Sequence, residues 1–249
     1  MSIINSTFYN NYTNGAIIHR NNMTLVDNSH FESNTQRGLY LETYTDDALI
    51  ENSEFNYNAL EGLRAADCDC AGEDIISTVT LNYNIFNDNG YYGYRGSAET
   101  SIINGNTFFS NNYYGIYTFG ATFITDNQII ENALGGIDVR AYGGTVQIEN
   151  NNILFNAGSK NAVYIYQATS DDNIIINNII NGNTTSGMSA IGSAALCIED
   201  GHNFLIENNS ITNNSSNNTS WGGLGVSAGN YFQNCDNCGE DNQMSTTNL

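Results

Sequence analysis

Apolar and polar positions alternate along this chain within a larger period. Ser101–Thr118, SIINGNTFFSNNYYGIYT, shows it best. Around the anchor Phe108, an aliphatic residue stands five places before (Ile103), an asparagine three after (Asn111) and a glycine seven after (Gly115). The same template fits the anchors Phe8, Phe31, Phe55, Phe86, Ile129, Ile153, Ile180 and Ile211. Ile3, Val26, Ile50, Leu81, Ile124, Ile148, Ile175 and Ile206 fill its aliphatic place. Asparagine fills the third place every time: Asn11, Asn34, Asn58, Asn89, Asn111, Asn132, Asn156, Asn183 and Asn214. Glycine holds the seventh at Gly15, Gly38, Gly62, Gly93, Gly115, Gly136 and Gly187, and gives way at Lys160 and Asn218. Chance composition does not produce such spacing, so the chain is a repeat protein.

Each repeat reads as strand, because inward and outward residues alternate with period two: Ile103 in and Asn104 out, then Ile116 in, Tyr117 out, Thr118 in. The glycine suits a corner with positive φ or a close backbone approach. The asparagine suits a second corner, where its amide can bond the backbone and the asparagines of neighbouring repeats. Three short strands per repeat, turned at such corners, make an all-β parallel β-helix solenoid of about nine coils, roughly 40 Å long. Proline is absent, as expected where nearly every backbone N–H is needed for pairing.

LIENSEFNYNALEGLRA and FITDNQIIENALGGIDV resemble repeats of the right-handed parallel β-helix in the pectin-lyase-like superfold. The resemblance spans residues 2–228 and implies the fold. That superfold carries lyases, hydrolases, epimerases, phage tailspikes, adhesins and structural modules, so activity has to be argued from sites.

Residues 1–230 are expected to form one β-helix, and 231–249, where periodicity ends, a cysteine-containing cap or tail. Inserted segments interrupt the repeat at 66–74, 189–201 and 215–221. Ile3 already belongs to the first coil, with no sequence-local cover for its apolar end. The expected partner there is either another copy, stacked head to tail, or an upstream segment of a longer chain.

Composition narrows the classes. With 26 acids against 6 bases the formal net charge is −20, which argues against nucleic-acid binding. No stretch approaches the ~20 apolar residues of a membrane span. An acidic, lysine-poor surface suits an extracellular or cell-surface location, and divalent cations such as Ca²⁺ or basic partners. It also simply keeps a rod soluble. No metal site is read from the spacing of ligands. Cys68, Cys70, Cys235 and Cys238 are expected in local disulfides, which leaves Cys197 over. Among the Asn-x-Ser/Thr sequons, the loop cluster Asn213, Asn214, Asn217 and Asn218 is the glycosylation candidate.

The chemistry with most promise lies on the strand after the glycine corner. Outward positions there bring Tyr40, Arg64, Arg95, Tyr117, Phe119, Asp138 and Arg140 onto one stacked face. Aromatic planes with guanidinium and carboxylate partners are what a carbohydrate-binding surface needs. Lyase or hydrolase chemistry would add a placed base, clustered carboxylates or both. No such constellation can be assigned, and no catalytic residue is named. Two functions follow: a secreted non-catalytic structural, filament-forming or adhesion module, or a carbohydrate-active enzyme working on an extracellular polysaccharide.

Overall fold

The computed structural model describes residues 1–42, 46–66, 76–158, 161–185, 195–216 and 223–227. Among these, every paired strand is parallel to its neighbours, and the chain winds as a parallel β-helix of about nine coils. The central strand of each coil is three residues long. Nine of them form one sheet, from Thr7–Tyr9 through Thr107–Phe109 to Ser210–Thr212, with the anchors in register. The strands before and after it in each coil belong to two further faces. These faces merge into one sheet because Tyr94–Asn104 and Tyr114–Thr125 run unbroken around the edge between them. Gly120, at φ 81°, supplies the bend in the second of these.

The core is the stack of inward residues. Phe8, Phe31, Phe55, Phe86 and Phe108 lie ring on ring, with centroids 4.7–4.9 Å apart. Ile129, Ile153 and Ile180 continue the column fully buried, and Ile211 packs partly buried at its end.

The expected asparagine ladder is present. From Asn11 to Asn214, each side-chain Nδ2 donates to the Oδ1 of the asparagine one coil on, at 2.8–3.0 Å. The backbone N–H of the same residue donates to that same oxygen, as at Asn89 (3.2 Å to Asn111). The second Nδ2 hydrogen reaches back to a carbonyl of the preceding coil: Asn111 donates to Phe86 at 3.1 Å. Donors and acceptors of a buried amide are thereby satisfied, which is the condition for burying it.

A second ladder, which the sequence reading missed, lines the corner two residues before each anchor. It runs Ser6, Ser29, Ser53, Asn84, Asn106, Asn127, Asn151, Asn178 and Asn209. The three serines lack an amide donor. Ser29 and Ser53 accept the backbone N–H of the preceding coil, and all three hydroxyls donate to a local carbonyl, as Ser29 does to Asp27 at 2.9 Å.

Of the two roles open to the repeat glycine, the structure shows close backbone approach. The positive φ belongs to the residue immediately before each ladder position: Asn5 and Asn10 in the first coil, Tyr83 and Asp88 in the fourth, Asp126 and Glu131 in the sixth. This left-handed residue turns the chain, so that the next side chain points inward. The glycine answers to close approach instead. A Cβ on Gly38 would lie 2.5 Å from the Gly62 carbonyl oxygen and 2.9 Å from Asn58 Nδ2.

Pairing also relocates that position in the late coils. One place before the registered residues Ile137, Val163, Leu196 and Leu224 stand Gly136, Ala162, Ala195 and Gly223. Ala195 therefore stands where the repeat count had pointed to Gly187, which lies outside the described residues together with Lys160 and Asn218.

Two substitutions check this packing. Asn111→Leu strands the donors of Asn89 and an acceptor of Asn132, so it should cost at least about 1–3 kcal/mol, the penalty for one orphaned buried group. Gly38→Ala should destabilise by about 1–3 kcal/mol through overpacking, since backbone atoms cannot move aside as a flexible side chain can. Denaturant melts compared with wild type would measure both, and an unchanged midpoint for Asn111→Leu would remove the ladder's energetic role.

Candidate functional site

The third strand of each coil presents alternate residues outward, and parallel register stacks them. One row runs Ile17, Tyr40, Arg64, Arg95, Tyr117, Asp138, Tyr164 and Cys197. The next runs Ser97, Phe119, Arg140, Tyr166 and Glu199. All seven residues singled out in the sequence, from Tyr40 to Arg140, thus occupy one continuous face. Tyr164, Tyr166 and Glu199 extend it, and sequence counting had stopped short of them because inserted residues shift the offset after Phe155.

A further row, at the place just before the glycine, supplies Arg37, Glu61, Tyr92 and Tyr114. The continuity of this row with the arginine row is not visible in the sequence. Four of the chain's five arginines therefore lie on this face.

The carboxylates are held by those arginines. Asp138 is almost fully buried and accepts two bonds from Arg140, at 2.7 Å from Nε and 3.2 Å from Nη2. Glu61, also buried, lies 2.9 Å from Arg37 Nε and 3.3 Å from Arg64 Nη1. Arg64 thus pairs with Glu61, three residues away, and Asp138 pairs along its own strand. Glu42 contacts His19. Burial alone would lower the pKa of the Arg140 guanidinium, but the Asp138 charge and hydrogen bonds outweigh it and the net shift is upward.

The rings and guanidinium planes interleave. Arg37 lies 4.9 Å from the Tyr40 ring centre, Arg95 lies 5.7 and 5.6 Å from Tyr92 and Tyr117, and Arg140 lies 4.6 and 5.5 Å from Tyr164 and Tyr166. Phe119 meets Tyr117 edge-on at 5.1 Å and stacks with Tyr142 at 6.0 Å. Such contacts fix both partners at separations where cation–π attraction operates. Burial pushes the hydroxyl pKa values of Tyr92, Tyr114 and Tyr164 upward. At Tyr164 the hydrogen bond it donates to Glu199 adds to the shift. Tyr40, Tyr114 and Phe119 are buried, so it is the half-buried Tyr92, Arg95, Tyr117, Arg140, Tyr164 and Tyr166 that can offer hydroxyls, ring planes and guanidinium edges to a polar ligand.

The other sequence candidates fall elsewhere. Asn213 is exposed, and its Nδ2 donates to Asn181 Oδ1 at 2.8 Å. Asn214 is occupied as the last asparagine of the ladder, its Nδ2 donating to the Ile180 carbonyl at 2.8 Å. Asn217, Asn218, Cys68, Cys70, Cys235 and Cys238 lie outside the described residues, while Cys197 is buried in the strand 196–199. Among the described residues, no group of three or more His, Cys, Asp and Glu side chains is placed to hold a metal ion.

Asp138→Ala should cost roughly 3 kcal/mol, the low end for breaking a buried pair, because Arg140 keeps some access to water. Stability should also fall at high pH. Tyr92, Tyr114 and Tyr164 hold their protons more tightly in the folded protein than a free tyrosine, whose pKa is 10.0, so the unfolded chain ionises first and is stabilised relative to the folded one above about that pH. Thermal melts should show a midpoint constant below pH 10 and dropping beyond it, with part of the tyrosinate absorbance appearing only on unfolding.

Searches of curated proteins and of solved structures give no significant match. The sequence model of the family described as "Right handed beta helix region" matches residues 1–95 and again 94–238, which together are nearly the whole chain. With the stacked parallel coils and the asparagine ladders already in place, that match makes this chain a member of the right-handed β-helix family.

Proposed function

We propose that this β-helix is a non-catalytic module of the cell exterior that adheres to polysaccharide through the face running from Tyr40 to Tyr166. The observation that carries the reading is the state of the carboxylates on that face. Asp138 sits in the grip of Arg140, and Glu61 lies between Arg37 and Arg64. General acid catalysis of glycoside cleavage needs a carboxyl kept protonated by an apolar surrounding, with a second carboxylate across the bond. Here Asp138 and Glu61 lie against guanidinium groups and act as struts that orient them, while Glu199 accepts from the Tyr164 hydroxyl.

What remains to meet a ligand are ring planes and N–H edges, repeated from coil to coil at roughly 4.8 Å. Successive sugar units of a polymer can then engage successive rungs, each weakly, with strength coming from number. Tyrosine and arginine serve this well, because both are already immobilised by stacking and lose little further entropy on binding. An acidic exterior with few lysines agrees with an extracellular setting.

A panel of acidic and neutral oligosaccharides, tested by calorimetry with and without Ca²⁺, examines the reading. Binding should be detected without release of unsaturated or reducing ends. Arg95→Ala and Tyr117→Ala should each weaken it about tenfold, the scale of one lost ring or cation contact, while melting is unchanged. Liberated sugar ends would overturn the non-catalytic assignment, and affinity that survives both substitutions would overturn the face.

A further inference from the structure

The opposite character appears on the first strand of each coil, whose outward positions also stack in register. Its central row is apolar in six of nine coils: Leu25, Leu49, Ile102, Phe123, Ile174 and Leu205, with Ser2, Thr80 and Gln147 between. None of the six is buried, and Ile102 and Leu205 expose over a third of their surface. Such a ridge spends apolar surface on water at two rungs in three, where a polar residue would serve the fold equally well.

Acids flank it on one side, Asp27, Glu51, Glu149 and Glu207 in the adjoining row and Asp126 at the corner beyond. Asp47 and Asp172 stand on the other side. Among the described residues, none of these rows contains a lysine, arginine or histidine. A ridge of apolar side chains between like-charged margins is one half of an amphipathic interface.

We infer that this face is a docking surface for a cationic amphipathic helix, laid along the rod with its apolar stripe on the Leu25–Leu205 ridge and its lysines or arginines against the acidic margins. The spacing supports it, since coils repeat at roughly 4.8 Å and a helix advances about 5.4 Å per turn, so that nearly one turn meets each coil. Charge excludes the other obvious occupant. A second copy on the same face would set carboxylate rows against each other, and on the Tyr40–Tyr166 face Arg37 and Arg64 already contact Glu61 while Arg140 contacts Asp138. The polar face of the guest helix would stay in water, which is how amphipathic helices dock into apolar grooves. This inference does not depend on the polysaccharide reading, which concerns a different face.

The test uses the full chain and a synthetic leucine–lysine helix about five turns long, labelled for fluorescence anisotropy. A scrambled peptide of the same composition, with its apolar stripe destroyed, reports plain attraction to a chain of net charge −20. The helix should bind at least tenfold tighter than the scramble, more so at low salt, and the double variant Ile102→Asn/Phe123→Asn should abolish that advantage. Circular dichroism and melting of the variant should match wild type, because both positions face outward. Arg95→Ala, on the other face, should leave the affinity unaltered. Equal binding of helix and scramble would overturn the inference, as would a well-folded double variant that keeps the advantage. A wild-type chain that self-associates through the ridge, while the variant stays monomeric, would overturn it too.

Discussion

A buried side-chain amide has two donors and an acceptor to satisfy, and in this protein the coils above and below satisfy them, joined at the second corner by a carbonyl of the same coil. Two columns of such groups run the length of the rod, and most other features follow from keeping them in line. The residue before each ladder position takes a left-handed conformation, at a cost of about 1–2 kcal/mol for any residue but glycine, because the turn must aim the next side chain inward. In the first five coils the glycine that ends the following corner is needed because the ladder amide of the next coil lies where a Cβ would go, a demand that lapses where Ala162 and Ala195 take its place. Proline has no place, since backbone N–H groups of corner and strand alike are used between coils. The asparagine and the glycine of the repeat are therefore two parts of one device.

That device explains which parts of the molecule were legible in the sequence. Asn at the third place and Gly at the seventh are tied to a single side-chain type by geometry, so their spacing stands out. The second ladder was harder to see, because its demand is met by serine in three coils and asparagine in six. A hydroxyl can take the backbone N–H, and the column then changes identity without changing role. The positive-φ places were hidden for a related reason. Asn, Ser, Tyr, Asp, Glu and Phe all occupy them, since the surrounding pairing holds the conformation whatever the side chain.

Counting from the anchor failed where the loops changed length. From residue 1 to Phe155 the third strand begins at a constant offset, so Tyr40, Arg64, Arg95, Tyr117 and Asp138 could be aligned by eye. After Phe155 the chain adds residues before that strand, and hydrogen bonding, not numbering, puts Tyr164 beside Asp138 and Tyr166 beside Arg140. The ion pairs were out of reach for a different reason. Arg64 lies near several acids in sequence and in stacking. Its contact with Glu61 depends on the strand's twist at a corner, which no periodicity encodes.

Because the interior is closed by inward residues alone, the outward positions are free to differ from face to face, and here they have diverged. In a chain of net charge −20, four of five arginines are gathered on one face, each against a ring, a carboxylate or both. The first-strand face holds apolar side chains between acids. A requirement for solubility alone would have spread both charge signs over the rod. Segregation at fixed rungs means that each face presents a regular lattice, with chemistry repeating at the coil spacing in one direction. A small isolated molecule gains little from such a lattice, because each rung contributes one ring or one cation. A polymer or a helix, with a repeat of its own, can match many rungs at once, and it is for partners of that kind that a rod with two unlike faces is suited.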